Sequence, residues 1–367
     1  MSPDVVIAGG GVVGCAIAHA LAQAGVGRVV VAERAMPGNE ASGAAAGLLA
    51  VASSKAPRGV LFELRRASAA MFPHLVETLR SETGIDVEYS SHGVLDLAFT
   101  VRDAAKLERL VARRREQGFS AELLDPQQTL AHEPAINPTI RSAAHFPDDR
   151  SINNVRLVEA LYGAARARGV EFRLGAELNG VEHAKGRVLS VRIGGEWVPT
   201  GQLIIAAGVW SREVGSLLRV KVPVRPDRGE MLALRPSSPL RRIVSWNDGY
   251  LVPRADGEVL VGSTSTRGVE EKVVTASSMA LLLRRAARMV PDLADATLLR
   301  TWAGLRPLST LRRPIIGPLR GFENVILASG HHRSGILLAP VTAQLVTELL
   351  VQGATSIPLQ PFCYRPR

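Results

Sequence analysis

The sequence predicts an α/β chain of two domains, one built on a parallel sheet and the other on an antiparallel sheet. Three observations predict it. A unit of strand, glycine-rich turn, helix and second strand opens the chain, a second strand, glycine turn and helix close it, and residues 222–261 switch to the alternation of hairpin strands.

In the opening unit, Val5–Ala8 is short, apolar and β-branched, as a strand buried on both faces of a parallel sheet should be. Gly9, Gly11 and Gly14 follow with the spacing G-x-G-x-x-G. The first allows the tight turn, the second lets backbone approach a pyrophosphate, and the third lets the helix pack on the strand. A helix over 12–24 would aim its N-terminal N–H groups at that pyrophosphate. The second strand, 29–32, ends at Glu33, 19 residues after Gly14, where a carboxylate accepts hydrogen bonds from both ribose hydroxyls and disfavours a 2′-phosphate. The glycine motif alone is weak. With strand, helix, second strand and acid in the required order it reads as a Rossmann-like dinucleotide site rather than a ligand-free turn.

A length of 367 residues allows two or three domains with ample core. No apolar run reaches the 18 or more residues of a membrane span, and residues 1–4 lead into the first strand without a basic leader, so no membrane span is expected and the chain reads as cytoplasmic. Two cysteines, Cys15 in the first helix and Cys363 near the end, make neither a disulfide framework nor a metal site, and no metal is expected. Cys15 reads as a small core residue. Lys and Arg outnumber Asp and Glu 44 to 34, a formal charge of +10 spread along the chain. The densest run, Arg113, Arg114 and Arg115, falls in a predicted helix 103–117, where a solvated face is a simpler reading than a phosphate patch. No nucleic-acid partner is expected, although the charge favours anionic ligands.

Beyond the opening unit, residues 38–50 are almost all small, which suits backbone lying flat against a planar ligand. Helices are predicted over 61–82 and 103–117, with a strand over 93–99 between them. Asn153 and Asn154 can cap a helix running to Arg168, and 170–174 and 203–206 read as strands. The latter enters Ala206-Ala207-Gly208-Val209-Trp210, a small-residue turn at the strand end where open α/β sheets bind ligands. Strands over 228–234, 250–253 and 258–262, with a turn at 255–257, form the expected antiparallel sheet. A helix over 277–289 precedes Trp302-Ala303-Gly304-Leu305-Arg306-Pro307. The strand 325–328 then runs into Ser329-Gly330-His331-His332-Arg333-Ser334-Gly335 and a final helix over 336–351.

Taken together, these segments resemble the glycine oxidase branch of the D-amino-acid oxidase superfamily of FAD-dependent amine oxidases, over nearly the whole chain. The marks are the glycine motif ending at Glu33, the stretch 42–48, Ala207-Gly208-Val209-Trp210-Ser211, the 302–307 motif and residues 330–340. The resemblance implies a discontinuous FAD domain, 1–87, 146–220 and 302–367, and a substrate domain, 88–145 and 221–301. It implies that Val12, Val13, Glu33 and Arg34 border the adenosine diphosphate half. Ala41, Ser42, Ala46, Gly47 and Leu48 would run beside the isoalloxazine, Glu177 would approach the adenine, Gly208 would line the site, and His331, His332, Arg333, Ser334, Gly335, Ile336 and Leu337 would lie under the flavin. A helix N-terminus near Gly335 suits this physically, because its N–H groups favour the N1–C2=O edge of a flavin that gains negative charge on reduction. No cysteine lies near 302–320, so non-covalent FAD is expected.

For the substrate, the resemblance implies that Arg306 and Tyr250 hold an amino acid's carboxylate and that Arg333 stands at the boundary of substrate and flavin. A guanidinium fork suits this role because it pairs both oxygens and stays charged when partly desolvated. Outside its motif Arg306 would read as a surface ion-pair residue, and Tyr250 as a core aromatic. No acid–base residue is expected, since a neutral amine can lose hydride to flavin without a protein base. The implied reaction is oxidative deamination of glycine, and of sarcosine or small D-amino acids, with dioxygen as acceptor and hydrogen peroxide as product. In this branch it feeds thiamine thiazole synthesis, and the branch's homotetramers imply a homo-oligomer. Asp248, Ser265, Leu48 and His332 stand where a described relative in this branch carries histidine, methionine, methionine and phenylalanine, which leaves side-chain selectivity open. Two rival readings are an amine dehydrogenase passing electrons to a quinone or partner subunit, and a flavin-binding subunit without amine chemistry.

Overall fold

The structure is a computed structural model and describes residues 2–55 and 58–364. A six-stranded sheet runs in the order Ile315–Pro318, Val325–Ser329, Gln202–Ile205, Val5–Ala8, Val29–Glu33, Glu171–Leu174. Its pairs are parallel except the edge pair of Ile315–Pro318 with Val325–Ser329. Helices Val12–Gln23, Val60–Thr83, Asn154–Ala167 and Gly335–Gln352 cover one face with a continuous apolar core. A three-stranded antiparallel sheet, Leu178–Ala184, Arg187–Ile193 and Glu196–Pro199, covers the other. The buried β-branched strands need this double cover, because a parallel sheet leaves neither face wet.

Among the described residues, the last helix alone has the length and apolarity that would suit a membrane. Leu338, Ala339, Val341, Leu345 and Val346 are buried, and Ser68 from Val60–Thr83 donates to the Leu337 carbonyl at 2.6 Å, so it is a core helix of this sheet.

The second sheet has nine strands. Thr266–Arg267, Val224–Arg235, Val259–Gly262, Gly249–Pro253, Ile243–Trp246, Val94–Ala98, Ser142–Phe146 and Glu122–Leu124 lie in that order, and Thr297–Ser309 pairs along Val224–Arg235. It is antiparallel apart from the pair Ile243–Trp246 with Val94–Ala98. Helix Ala276–Met289 packs on it through Leu282, Ala286 and Met289. Residues 302–309 hydrogen-bond within this sheet, so the expected division at 302 falls inside a strand.

The predicted helices lie at Val60–Thr83, Val101–Glu116, Asn154–Ala167, Ala276–Met289 and Gly335–Gln352, with Asn153 capping the third through its side chain. Short strands such as Glu122–Leu124 and Ser142–Phe146, and the charged hairpin 178–193, carry too little apolar alternation to be read from sequence. The solvated reading of the arginine run fails at Arg114. Its side chain is fully buried, and it donates to the carbonyls of Ala52 and Ser54. With Asp149, whose buried carboxylate accepts from the N–H groups of Val51, Ala52 and Ser53, it fixes the loop that borders the cavity described next.

Candidate active site

A cavity of about 720 Å³ lies between the two large sheets. Its floor is made by the C-terminal ends of four parallel strands, at Ala8, Ala32 and Glu33, Ala206, and Ala328 and Ser329. Strand order and helix cover leave a crevice there, which is where open α/β sheets take ligands.

At one end stands the glycine turn. Gly9 has φ +104°, and a Cβ on it would lie 2.8 Å from the Ala206 carbonyl oxygen. Gly11, Val12 and Val13 line the cavity beside it. Gly14 does not line it; a Cβ there would meet the Gly9 oxygen at 1.9 Å, so this glycine allows helix and turn to touch. The Glu33 carboxylate accepts from the N–H of Gly10 at 2.7 Å and of Ala35 at 2.9 Å while facing the cavity. The Arg34 guanidinium lies 3.6 Å over the Trp210 ring and pairs with Glu40 at 2.6 Å. Glu177 and Gly208 also line this end.

The small-residue stretch forms a wall from Ala41 to Leu48. Ser42 Oγ accepts from the Val12 N–H at 3.0 Å, and Asn154 Nδ2 donates to the carbonyls of Ser42 and Gly43. Trp302 Nε1 donates to the Ala44 carbonyl at 3.1 Å. Arg254 donates to the carbonyls of Ala46 and Ile152. Gly47, at φ +72°, passes so close to Ile152 that a Cβ would sit 1.8 Å from its oxygen. The same cavity is lined by His331, His332, Arg333, Ser334, Gly335, Ile336 and Leu337, the entry to the last helix. His331 is buried with Nε2 3.1 Å from Thr342 Oγ1, and burial lowers its pKa to about 4, so its ring is neutral near pH 7.

The antiparallel sheet supplies the far end, where Arg306, Tyr250 and Arg333 meet in the same cavity. Arg306 donates to the Thr264 carbonyl at 3.0 Å and to Ser263 Oγ at 2.7 Å, and its Nη1 lies 3.5 Å from Asp227. Its guanidinium lies over Gly229, where a Cβ would stand 2.2 Å from Nη2. The Tyr250 ring likewise lies over Gly262, where a Cβ would stand 2.4 Å from the ring.

Asp227 and Asp96 are acids that sequence reading missed. Asp227 is fully buried, and its carboxylate also takes Ser265 Oγ at 2.7 Å and His332 Nε2 at 2.6 Å. Burial alone would raise its pKa, but the His332 and Ser265 contacts and the Arg306 charge hold it at about 2. Asp96 faces the cavity with Ser245 Oγ donating at 2.9 Å, and burial raises its pKa to about 6. A lone acid inside the apolar run Val-Leu-Asp-Leu-Ala was the signal available for it. Of the four positions noted for selectivity, Ser265 and His332 meet on Asp227, Leu48 lines the wall, and Asp248 pairs with Lys55 at 2.9 Å on the rim.

A profile of the FAD dependent oxidoreductase family matches residues 4–349. The chain belongs to that family. Glycine oxidase from Pseudomonas putida is 34% identical over 370 residues, covering 100% of this chain and 99% of its own. Hydrogen cyanide synthase subunit HcnC from Pseudomonas aeruginosa is 30% identical over 395 residues, covering 98% and 95%. The crystal structure of glycine oxidase from Geobacillus kaustophilus superposes with a TM-score of 0.95 at 32% identity over 100% of both chains.

The cofactor of this FAD-dependent oxidoreductase is therefore FAD, and the cavity fits it. A Cβ at Gly9 or Gly47 would strike backbone, so both stretches need glycine to follow their paths past the cavity. Two helices, Val12–Gln23 and Gly335–Gln352, start at the cavity, and the Glu33 carboxylate lines it beside the glycine turn.

Proposed function

We propose that this chain catalyses the oxidative deamination of glycine, and of sarcosine or small D-amino acids, to the 2-oxo acid, ammonia and hydrogen peroxide, with FAD held non-covalently. The supporting observation is that Arg306, Tyr250 and Arg333 converge on one cavity with the glycine turn and the start of the last helix. FAD, when bound, accepts hydride from the substrate Cα and passes the electron pair to dioxygen.

The protein groups orient the substrate. Arg306 takes the carboxylate through its fork, held from behind by Ser263, Thr264 and Asp227, and Tyr250 donates its hydroxyl to the same carboxylate. Arg333 closes the boundary between substrate and flavin. Glu33 would accept hydrogen bonds from the ribose hydroxyls of FAD, and the N–H groups opening the last helix would favour the negative charge that the flavin gains on reduction. We assign neither cavity histidine as a base: His331 is buried on Thr342, and the Nε2 of His332 is taken up by Asp227. The substrate therefore binds as the neutral amine, and the resulting imine is hydrolysed by water.

The test is anaerobic addition of glycine, sarcosine and D-alanine to the purified holoenzyme, followed by air. Flavin bleaching and rapid reoxidation with peroxide support the proposal. Bleaching without peroxide favours a dehydrogenase working as part of an assembly, a second reading that the likeness to a hydrogen cyanide synthase subunit supports. A flavin that no amine bleaches overturns both. Arg306→Ala should raise KM steeply for every amino acid while FAD stays bound.

A further inference from the structure

Away from the cavity, three side chains converge on the far edge of the antiparallel sheet. Glu122 and His145 stand directly opposite each other on the paired strands Glu122–Leu124 and Ser142–Phe146, so their side chains share a face. His132 ends the helix Pro126–His132, which packs against the second of these strands. The two imidazole centroids are 4.9 Å apart, and His145 Nδ1 is 3.7 Å from Glu122 Oε2. One ligand atom from each of the three residues lies within 4.8 Å of the others.

Hydrogen bonding separates this cluster from an ordinary polar contact. His145 is 8% exposed, yet neither of its ring nitrogens has a hydrogen-bond partner among the described residues, and the solvent-shielded Nδ1 of His132 has none either. Buried polar atoms are seldom left unpaired, and one such nitrogen from each imidazole beside the same carboxylate points to a shared missing partner. Without a hydrogen-bond partner, a ring nitrogen of each histidine is available to a metal, which imidazole binds through its lone pair. The nearby cation, Arg242, is tied to the His132 carbonyl. The buried Glu133 carboxylate, which accepts from the backbone N–H groups of Arg241 and Arg242, places a negative charge beside it.

We propose that Glu122, His132 and His145 form a binding site for a divalent first-row transition metal, zinc(II) foremost. Two imidazoles and a carboxylate are the borderline N/O set that zinc takes, whereas calcium and magnesium take oxygen-only shells. Ligand atoms around a tetrahedral zinc stand about 3.3 Å apart, given bonds of about 2.0 Å. The set closes by about 1 to 1.5 Å on binding, and Glu122, whose side chain is 56% exposed, has the freedom to move. Water takes the remaining position. The metal joins the helix Pro126–His132 to two strands and acts as a clamp on the sheet edge, apart from the flavin.

The test is calorimetric titration of chelator-dialysed, FAD-loaded protein with zinc chloride, alongside cobalt(II) chloride followed by visible absorption. One zinc per chain, a cobalt d–d band typical of low coordination number and no response to magnesium are expected. His132→Asn and His145→Asn should each weaken zinc binding about tenfold or more, with circular dichroism unchanged and the zinc-induced rise in Tm lost. Should a histidine variant fail to fold, Glu122→Gln on the exposed side of the site carries the same expectation of weaker binding. Absence of zinc binding by the native chain, or equal affinity in the His132→Asn/His145→Asn double variant, overturns the proposal.

Discussion

Asp227 Oδ2 lies 2.6 Å from Nε2 of His332, and the same carboxylate is 3.5 Å from Nη1 of Arg306. A fully buried acid thus joins the strand Val224–Arg235 to the entry of the last helix, across the boundary between the two sheets. Ser265 and His332, two of the positions noted in the sequence for selectivity, both place their polar groups on this carboxylate. The proposed carboxylate anchor is therefore itself anchored by a counter-charge.

Removing that charge should be costly. Asp227→Asn preserves shape but leaves Arg306, mostly buried, without its anion, and breaking a buried pair on one side typically costs about 3 kcal/mol. Urea unfolding of Asp227→Asn, Arg306→Ala and the double variant should give a coupling of about 1 kcal/mol or more. Additive effects would show that the 3.5 Å approach carries no energy.

Two glycines should control substrate geometry without touching substrate. Gly229→Ala would push the Arg306 guanidinium from its place, since the added Cβ would fall 2.2 Å from Nη2, and Gly262→Ala would displace the Tyr250 ring. Misplacing an orienting group by an ångström costs about 100-fold, so kcat/KM for glycine should fall by about 10-fold to 100-fold in each. FAD content should not change. Unaltered kinetics in Gly229→Ala would remove Arg306 from the substrate's path.

The glycine-turn end of the cavity is more legible in the sequence than the Arg306 end, for a physical reason. The dinucleotide turn is local: Gly9, Gly11, Gly14 and Glu33 follow one another within a single strand–helix–strand unit, and backbone sterics dictate their types. Asp227, Ser265, Arg306 and His332 come from four separate segments, and only strand register brings them together. Gly229 and Gly262 look like ordinary strand glycines until the side chains lying over them are seen. Arg114 was misread for the same reason, since its partners Ala52 and Ser54 are distant in sequence.

Asp96 should make stability depend on pH in an unusual direction. Its folded pKa of about 6 lies above the unfolded carboxylate value, so the folded chain holds the extra proton between about pH 4 and 6. The favourable contribution is full below that window and is lost as pH rises through it. Two pKa units correspond to roughly 3 kcal/mol as an upper figure. Asp96→Asn, whose Oδ1 can still accept from Ser245, should therefore be more stable than the native chain at pH 8 and no more stable at pH 4. Parallel Tm profiles for the two proteins across that range would refute the assignment.

Glu33 should set FAD affinity through its charge rather than its size. The carboxylate already accepts from the N–H groups of Gly10 and Ala35, which hold it against the turn and aim it into the cavity. In Glu33→Gln one acceptor becomes a donor, so one backbone N–H loses its partner, and the ribose loses charge-assisted bonds worth about 1.5–3 kcal/mol. Titrating apoprotein with FAD by fluorescence quenching should show Kd rising by about 10-fold to 100-fold. With FAD saturating, KM for glycine should stay at its native value, because Arg306 and Tyr250 are at the opposite end of the cavity. A change in KM with FAD affinity preserved would place Glu33 outside the cofactor's reach.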